Sequence, residues 1–273
     1  MPIDAIWLDI IRILPKKLMD NLQVCKTSIT RHNNEIHKNL KAWRRKPLLQ
    51  LIYRDFYKLL SDNLQYGIKG PIVEIGSGIG SLKEIIPNCV CTDIFGNPWV
   101  DRIENVYDLS FEDEEISNVI MFDVFHHIRY PGTALDEIRR TLCNNGRLII
   151  FEPYISLLGL LVYGLMHDEP INMRKDISWH APEDFDIAKD TYYAAQGNAM
   201  RIFVTNKYRE LLRDWKQVVN KRISSVSYIA SGGFSKPQLY PVCLYPAMKL
   251  VDRCCNLLPW LFATRILVVL EKQ

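Results

Sequence analysis

The chain has 273 residues, of which 48% are hydrophobic and 24% charged, and its formal net charge is +3. These values are ordinary for a globular protein, and no internal repeat or low-complexity tract is visible. The length suits one large α/β domain with additions, or two small domains. Basic residues are not interleaved with aromatic ones, so the sequence gives no sign of a nucleic-acid-binding module.

The N-terminal segment is basic. Residues 1–46 hold ten Lys and Arg against four Asp and Glu, a balance of +6, so the remainder sums to −3. Ile and Trp recur at helical spacing in residues 3–14, which predicts an amphipathic helix that ends at Pro15. This helix packs on the domain, or it lies on an anionic membrane surface. With a second helix after Pro47, residues 1–66 are predicted to form a helical segment that packs on or caps the core.

Cysteine usage and apolar runs bear on the compartment. The seven cysteines contain no Cys-x-x-Cys pair, which indicates reduced, mostly buried thiols of a cytosolic protein. Asp4 and Asp9 interrupt the first apolar run, so we expect no secretory signal. The longest apolar stretch, residues 155–166, is too short to span a bilayer. We predict a cytoplasmic protein, with peripheral contact at the inner face of the membrane as a further expectation from the basic segment.

The most informative stretch is residues 71–81, PIVEIGSGIGS. It predicts a short buried strand, a tight glycine loop, and a helix that begins at residues 82–86. Glycines allow positive φ and close approach of a ligand, and such a loop offers free N–H groups. Glu74 lies in an otherwise apolar strand, where a carboxylate is costly unless it is paired. We therefore expect a ligand with both charges, an amino acid joined to a nucleoside.

The same stretch carries a family resemblance. An acidic residue, Glu74, is followed by three alternating glycines at positions 76, 78 and 80. This spacing resembles the first motif of the class I S-adenosylmethionine-dependent methyltransferases. The dehydrogenase fingerprint Gly-x-Gly-x-x-Gly differs, because Ser81 stands where its last glycine belongs.

The resemblance to this family is continuous over residues 71–154, including the paired histidines and an Asn-Gly turn. It implies a Rossmann-like α/β fold with a seven-stranded sheet, mostly parallel with an antiparallel last strand, plus N-terminal helices and a lid insertion after the fifth strand. Residues 67–273 would form the methyltransferase domain, with a substrate or lid insertion at about 155–204 and a C-terminal helix and strand at about 240–273. The third strand is predicted at residues 102–107 and the sixth at 222–229.

Polar residues follow the predicted parallel strands, at the edge where open α/β sheets bind ligands. Asp93 stands 17 residues beyond Gly76 and would accept hydrogen bonds from both ribose hydroxyls, although it could instead cap the next turn. In the resembling family, an acidic residue at the position of Asp108 meets the adenine amino group, and the next backbone N–H meets the ring. With S-adenosyl-L-methionine as the implied cofactor, the predicted binding residues are Glu74, Gly76, Ser77, Gly78, Gly80, Asp93, Ile94, Asp108, Leu109 and Asp123.

Methyl transfer from a sulfonium is an in-line displacement, in which proximity and orientation supply several kcal/mol, about 7–11 at most. A hydroxyl nucleophile gains a further ~10²–10⁴-fold from a general base. Each candidate base also has a structural interpretation, such as a histidine that packs under the following helix. The predicted catalytic residues are His127, His126, Glu152, Tyr154 and His167, with His180 as a further candidate on the insertion.

A metal variant of the family's site is matched only in part. Some methyltransferases bind a divalent ion through Glu-x-x-Glu-His at the end of the fourth strand, and Asp123, His126 and His127 occupy these positions. Asp and His are competent ligands. Because a histidine replaces the middle Glu, we predict no metal here.

The acceptor is indicated only by class. The basic N-terminus, the apolar residues 155–166 and the aromatic-rich C-terminal portion favour a saccharide or lipid-linked glycan, and a small-molecule hydroxyl fits nearly as well. The predicted function is therefore O-methylation, as in polysaccharide biosynthesis. The alternatives are an NAD(P)-dependent Rossmann oxidoreductase and a non-catalytic methyltransferase-like scaffold.

We predict that residues 1–46 bring the protein to an anionic bilayer surface. Basic residues near such a surface contribute about 1 kcal/mol each, so a few suffice for reversible attachment. In a flotation assay the protein should rise with anionic liposomes, less so as salt increases, and not at all once the first 15 residues are deleted. Full-length protein that stays behind at low salt would mean that the helix packs on the domain instead.

Overall fold

The computed structural model describes residues 29–167, 169–186 and 192–273. The amphipathic helix predicted at residues 3–14 lies outside the described residues. The strands are β1 (Ile72–Ile75), β2 (Cys89–Asp93), β3 (Arg102–Ile103), β4 (Ile116–Phe122), β5 (Leu142–Pro153), β6 (Trp215–Ser224) and β7 (Ala263–Lys272). The helices are α1 (Ile29–Arg45), α2 (Pro47–Ser61), α3 (Pro131–Thr141), α4 (Leu157–Leu165), α5 (Asn198–Phe203), α6 (Val226–Ala230), α7 (Tyr245–Cys255) and α8 (Pro259–Phe262).

The seven strands form one sheet in the order β3-β2-β1-β4-β5-β7-β6. Strands β1 to β5 run parallel to one another, whereas β7 is antiparallel to both β5 and β6. This confirms the predicted mixed sheet with an antiparallel last strand. Because the five parallel strands end at the same edge, the loops that follow them meet there.

Both faces of the sheet are covered by helices. Successive residues of β5 point to opposite faces, so Ile149 and Phe151 pack against α2, while Leu148 and Ile150 pack on the other side with α3 and α5. Helix α2 begins with a proline at its first position, where the missing N–H is not needed. On α2, the ring of Phe56 lies 5.0 Å from that of Phe151. The result is a three-layer α/β core.

Three predicted elements differ from those observed. The helix expected after the glycine loop is a single 3-10 turn, Ser81–Glu84, because Pro87 follows within one turn and cannot continue a helix. The third strand stops at Ile103, since Asn105 closes a turn by accepting the backbone N–H of Asp108. The sixth strand, β6, spans Trp215–Ser224 rather than the predicted residues 222–229.

The end of strand β6 has a local cause. Strand β6 pairs with β7 as far as Ser224. Beyond it, Asp252 of α7 accepts hydrogen bonds from the backbone N–H and the hydroxyl of Ser227, which holds the chain in α6. The division of the chain at residue 66 stays a prediction.

Two further expectations concern the burial of the cysteine thiols and the presence of a membrane-spanning helix. The six cysteines in the described residues are free, but only Cys89 and Cys91 are buried. The expectation of mostly buried thiols is therefore wrong. Within the described ranges, no helix has both the length and the apolar character needed to cross a bilayer.

A buried ion pair joins β7 to the loop after β4. The guanidinium of Arg265, which is buried in the sheet, pairs with the carboxylate of Asp123. Asp123 has a left-handed backbone, with φ of 56°. The ring of Tyr228 lies 4.8 Å from the guanidinium carbon and adds a cation–π contact. The side chain of Asp123, a predicted cofactor-binding residue, thus forms an ion pair within the fold.

Replacing Asp123 with Asn should lower the free energy of unfolding by about 3 kcal/mol, as breaking a buried pair leaves the partner's charge uncompensated. The amide keeps the shape of the side chain and tolerates the left-handed backbone, so the substitution isolates the charge. The measurement is urea denaturation.

The control is Asp113→Asn. The Asp113 side chain is 77% exposed in its pair with Arg140, against 29% for Asp123 in its own pair, so the loss should stay below about 1 kcal/mol. Equal losses in the two variants would contradict a structural role for the Arg265 pair.

Candidate active site

The glycine loop after β1 has no room for side chains at two of its positions. Gly76 has φ of 72°, and a Cβ there would collide with the side chain of Val124. A Cβ at Gly80, where φ is 64°, would lie 2.7 Å from the carbonyl oxygen of Trp99. At Gly78 the φ is also positive, but a Cβ would meet no protein atom within 4 Å. The loop is therefore packed against the protein on two sides and open at Gly78.

Hydrogen bonds hold this loop against the end of β2. The backbone N–H of Ser77 donates to the carbonyl of Thr92 (2.8 Å), and the N–H of Thr92 donates to the hydroxyl of Ser77 (3.0 Å). The N–H of Gly78 donates to Asp93 Oδ2 (3.0 Å), and Oδ1 accepts the N–H of Ile94 (2.8 Å). The structure thus brings together the predicted residues of the first motif and the predicted ribose carboxylate.

Glu74 is buried beneath the loop. Its Oε2 lies 3.6 Å from the sulfur of Cys91, and in the described part of the chain no basic side chain pairs with it. Burial raises the pKa of Glu74 well above its ordinary value, and the neighbouring Cys91 adds to the effect. A cationic group of a ligand at this point would stabilise the charged carboxylate.

Helix α1 covers the same region. His32 Nε2 lies 3.3 Å from Asp93 Oδ1, and its ring meets the edge of Phe95. One turn later, His37 lies edge-on to Trp99. The Asp93 carboxylate raises the pKa of His32 above 6.5, against the opposing effect of burial. His32 was not predicted, because nothing in the sequence of a polar helix indicates which strand end the helix will cover.

The residues predicted at the adenine end are less well assembled. Asp108 is exposed. The backbone N–H of Leu109 donates to Glu137 Oε1 at 2.8 Å, so it would have to leave Glu137 before it could meet an adenine ring. Their assignment to the cofactor stays a prediction.

A buried carboxyl group organises the ends of β4 and β5. Glu152 Oε1 accepts the backbone N–H groups of Val124 (2.7 Å) and Phe125 (2.6 Å). Its Oε2 lies 2.6 Å from His126 Nδ1. Glu152 and His126 are both buried. This arrangement fixes the loop that follows β4 and the direction of the His126 ring.

The insertion supplies a second carboxylate to this region. Glu169 Oε2 lies 3.3 Å from His126 Nε2, and Glu169 Oε1 lies 3.6 Å from His127 Nε2. The hydroxyl of Tyr192 and the side-chain amide of Gln196 also donate to Glu169. His167 Nδ1 is 3.8 Å away. Three predicted histidines, His126, His127 and His167, therefore lie around a residue that was not predicted.

The two adjacent histidines differ in charge. Burial lowers the pKa of His126, but the carboxylates of Glu152 and Glu169 outweigh it and raise the value well above 6.5. Burial, with the nearby His126, lowers the pKa of His127 to about 4. Burial raises the pKa of Glu169, but its hydrogen bond with His126 and the nearby His127 bring the value well below its ordinary range. At neutral pH, His126 is charged and His127 is neutral.

Backbone hydrogen bonds fasten the insertion to the sheet edge. The N–H of Ala195 donates to the carbonyl of His126 (2.9 Å), and the N–H of Gly132 donates to the carbonyl of Trp179 (2.7 Å). A Cβ at Gly132 would collide with the Trp179 ring. The insertion therefore lies directly over the histidines.

The remaining predicted bases lie elsewhere. Tyr154 is fully buried in the hydrophobic core. His180 is exposed beside Asp136. For Glu169, the only signal in the sequence was its position two residues after His167 in a polar stretch of the insertion.

Part of the chain matches a known protein family. Residues 73–150 match the model of a family described as "Methyltransferase domain". This span runs from β1 to β5 and includes the glycine loop, Asp93 and the paired histidines.

Two similar curated proteins are from Dictyostelium discoideum. Probable polyketide synthase 13 is 24% identical over 204 residues, which is 60% of this chain and 7% of that protein. Probable polyketide synthase 10 is 22% identical over 91 residues, which is 33% of this chain and 3% of that protein. The chain therefore spans less than a tenth of either relative.

A solved structure from Thermotoga maritima has the same fold. It is described as a S-adenosylmethionine-dependent methyltransferase and possible histamine N-methyltransferase. The TM-score is 0.51 with 14% sequence identity, and the match covers 88% of this chain and 99% of that one. At this identity the likeness extends to the fold alone.

The contact of His32 with Asp93 should depend on pH. Since the pKa of His32 is raised, the contact stabilises α1 fully below pH 6.5 and is lost as the pH rises through the raised value. An NMR titration of the imidazole protons should therefore place the His32 midpoint above 6.5. In an Asp93→Asn variant that midpoint should fall. A pH midpoint for His32 that is the same in the variant as in the parent protein would contradict the contact.

Proposed function

We propose that the chain is a class I S-adenosylmethionine-dependent methyltransferase, with S-adenosyl-L-methionine as its cofactor. The proposed acceptor is a hydroxyl of a saccharide, a lipid-linked glycan or a small molecule. The observation that carries the proposal is the meeting, at one sheet edge, of an open glycine loop with a cluster of polar side chains. The glycine loop suits the cofactor, and the polar cluster suits a hydroxyl acceptor.

The residues around the glycine loop fit the cofactor. The open space at Gly78 would admit its amino-acid part, and the carboxyl group of Glu74 would hold its ammonium. Asp93 would accept hydrogen bonds from the ribose, and the half-exposed side chain of Ile94 would contact the base. When bound, the cofactor supplies a methyl group on a positively charged sulfur.

The neutral histidine faces the acceptor side. His127 Nδ1 donates to the backbone carbonyl of Tyr193 at 3.0 Å, since a carbonyl can only accept. The lone pair of Nε2 is therefore free to accept the hydrogen of a hydroxyl group. The His127 side chain is 33% exposed, so an acceptor can reach it. His126 and Glu152, both buried, would position this face rather than touch the acceptor.

Exposed leucines favour a lipid-linked acceptor. Helix α4 follows directly after β5 and packs on α8. Its Leu165 is 62% exposed, and Leu257, just before α8, is 81% exposed. Other large apolar side chains are also exposed here, namely Leu157, Leu161, Met166 and Leu258. A polyisoprenoid or acyl chain could contact these side chains while its sugar enters the site.

A turnover screen tests the proposed reaction. Formation of S-adenosylhomocysteine would be followed with matched acceptors, a lipid-linked saccharide and the same saccharide without its lipid. Turnover with the lipid-linked form supports the full proposal, and turnover with both supports a saccharide acceptor only. Cofactor binding without turnover on any hydroxyl acceptor would contradict the proposed reaction and favour a scaffold.

Replacing Gly78 with Val should abolish cofactor binding, measured by calorimetry, because the new side chain fills the open space. The positive φ adds a strain of roughly 1–2 kcal/mol, which a thermal melt would detect. Gly233→Val is the control for strain, since Gly233 has φ of 50° and lies outside the site. If both variants lose binding to the same extent, the effect comes from strain and the assignment of the loop is wrong.

A further inference from the structure

The ring nitrogens of His126 and His127 converge on one carboxylate. Their Nε2 atoms lie 3.3 and 3.6 Å from the two oxygens of Glu169. All three groups offer a ligand atom within 4.8 Å of the others. Two histidines and a carboxylate are thus brought to one point, although His127 and Glu169 are 42 positions apart in the chain.

The opposite nitrogen of each ring is held by an acceptor. His126 Nδ1 lies 2.6 Å from Glu152 Oε2, and His127 Nδ1 lies 3.0 Å from the carbonyl of Tyr193. Each Nδ1 therefore carries a hydrogen, and each Nε2 can present a lone pair, that of His126 after an incoming cation displaces its second proton. Metal-ligating histidines commonly donate their other N–H to a carboxylate or carbonyl in this way.

We propose that His126 Nε2, His127 Nε2 and the Glu169 carboxylate form a binding site for a divalent transition-metal ion such as zinc. Ligand atoms placed about 2.1 Å from an ion at tetrahedral angles lie roughly 3.4 Å apart, which matches both separations. Two histidines and one carboxylate leave a coordination position open.

An ion pair alone does not account for this arrangement. A proton on His126 Nε2 would bridge to Glu169, but His127 Nε2 lies 3.6 Å from Glu169 Oε1, which is too long for a hydrogen bond. A cation satisfies both. Tyr192 and Gln196 already donate to Glu169, as is usual for a ligating carboxylate.

The site is closed on one side and open on the other. The His126 side chain is buried, whereas those of His127 and Glu169 are 33% and 20% exposed. An ion can therefore enter, and its open position faces the side from which an acceptor would approach. There it would bind an oxygen of the acceptor and lower the pKa of a hydroxyl, which replaces the role of His127 as a base because its Nε2 would then ligate the ion. This last consequence rests on the proposed function, but metal binding itself does not.

The site differs from the motif considered in the sequence. Asp123 is engaged by Arg265, and His126 Nδ1 is engaged by Glu152. The third ligand comes instead from the insertion, at a position that the spacing of residues 123–127 does not indicate.

The test is zinc binding by the full chain, freed of metal with a chelator and studied without cofactor or acceptor. Competition with a chromophoric chelator should give one ion per chain with a dissociation constant at or below about 1 µM. Glu169→Gln and His127→Ala should each weaken binding at least ~10-fold, and Glu152→Gln should weaken it by ~10–100-fold by releasing the His126 ring. His180→Ala, at an exposed histidine, should bind like the parent protein.

Substitution with cobalt provides a second readout, since a tetrahedral site gives intense visible absorption that Glu169→Gln should reduce. Circular dichroism confirms that each variant is folded, and the partly exposed His127 and Glu169 are the safest positions to change. Absence of zinc binding, or binding that ignores both of these substitutions, overturns the proposal. Methyl transfer by a protein that binds no zinc would overturn the metal site alone, whereas zinc binding without methyl transfer would overturn only the proposed function.

Discussion

The carboxyl group of Glu152 has no exposed surface, and three N–H groups converge on it. A charge withdrawn from water costs several kcal/mol unless such donors compensate it. Two of the donors are backbone groups of the loop after β4, so this loop can take only a conformation that aims them at β5. The left-handed backbone of Asp123 and the direction of the His126 ring both follow from that requirement.

The same constraint links the sheet to the insertion. Because Glu152 occupies one nitrogen of His126, the other nitrogen points away from β5 and meets Glu169. The carbonyl of His126 accepts an N–H from the insertion, so the loop is bound on both sides. The proposed acceptor site therefore depends on docking of the insertion. The residues of the first motif do not, because they lie at the sheet itself.

The extent to which the sequence predicted the site depends on how local each interaction is. The glycine loop and Asp93 were found because they lie next to strands whose order follows from their connections. Glu169, His32 and Arg265 were missed, because each acts through a partner far away in sequence that no periodicity specifies. The failed prediction of a helix at residues 82–86 has the opposite origin, since the local stop signal of Pro87 was overlooked.

Two separate segments cover the sheet edge. Helix α1 reaches it at Asp93, Phe95 and Trp99, whereas the insertion reaches it at His126 and Gly132. The proposed cofactor and acceptor would therefore reach the sheet edge from different sides. In kinetic terms, a spent nucleoside could depart beneath α1 while a long polymeric or lipid-bound product stays under the insertion, which would permit successive rounds of modification on one molecule before it dissociates.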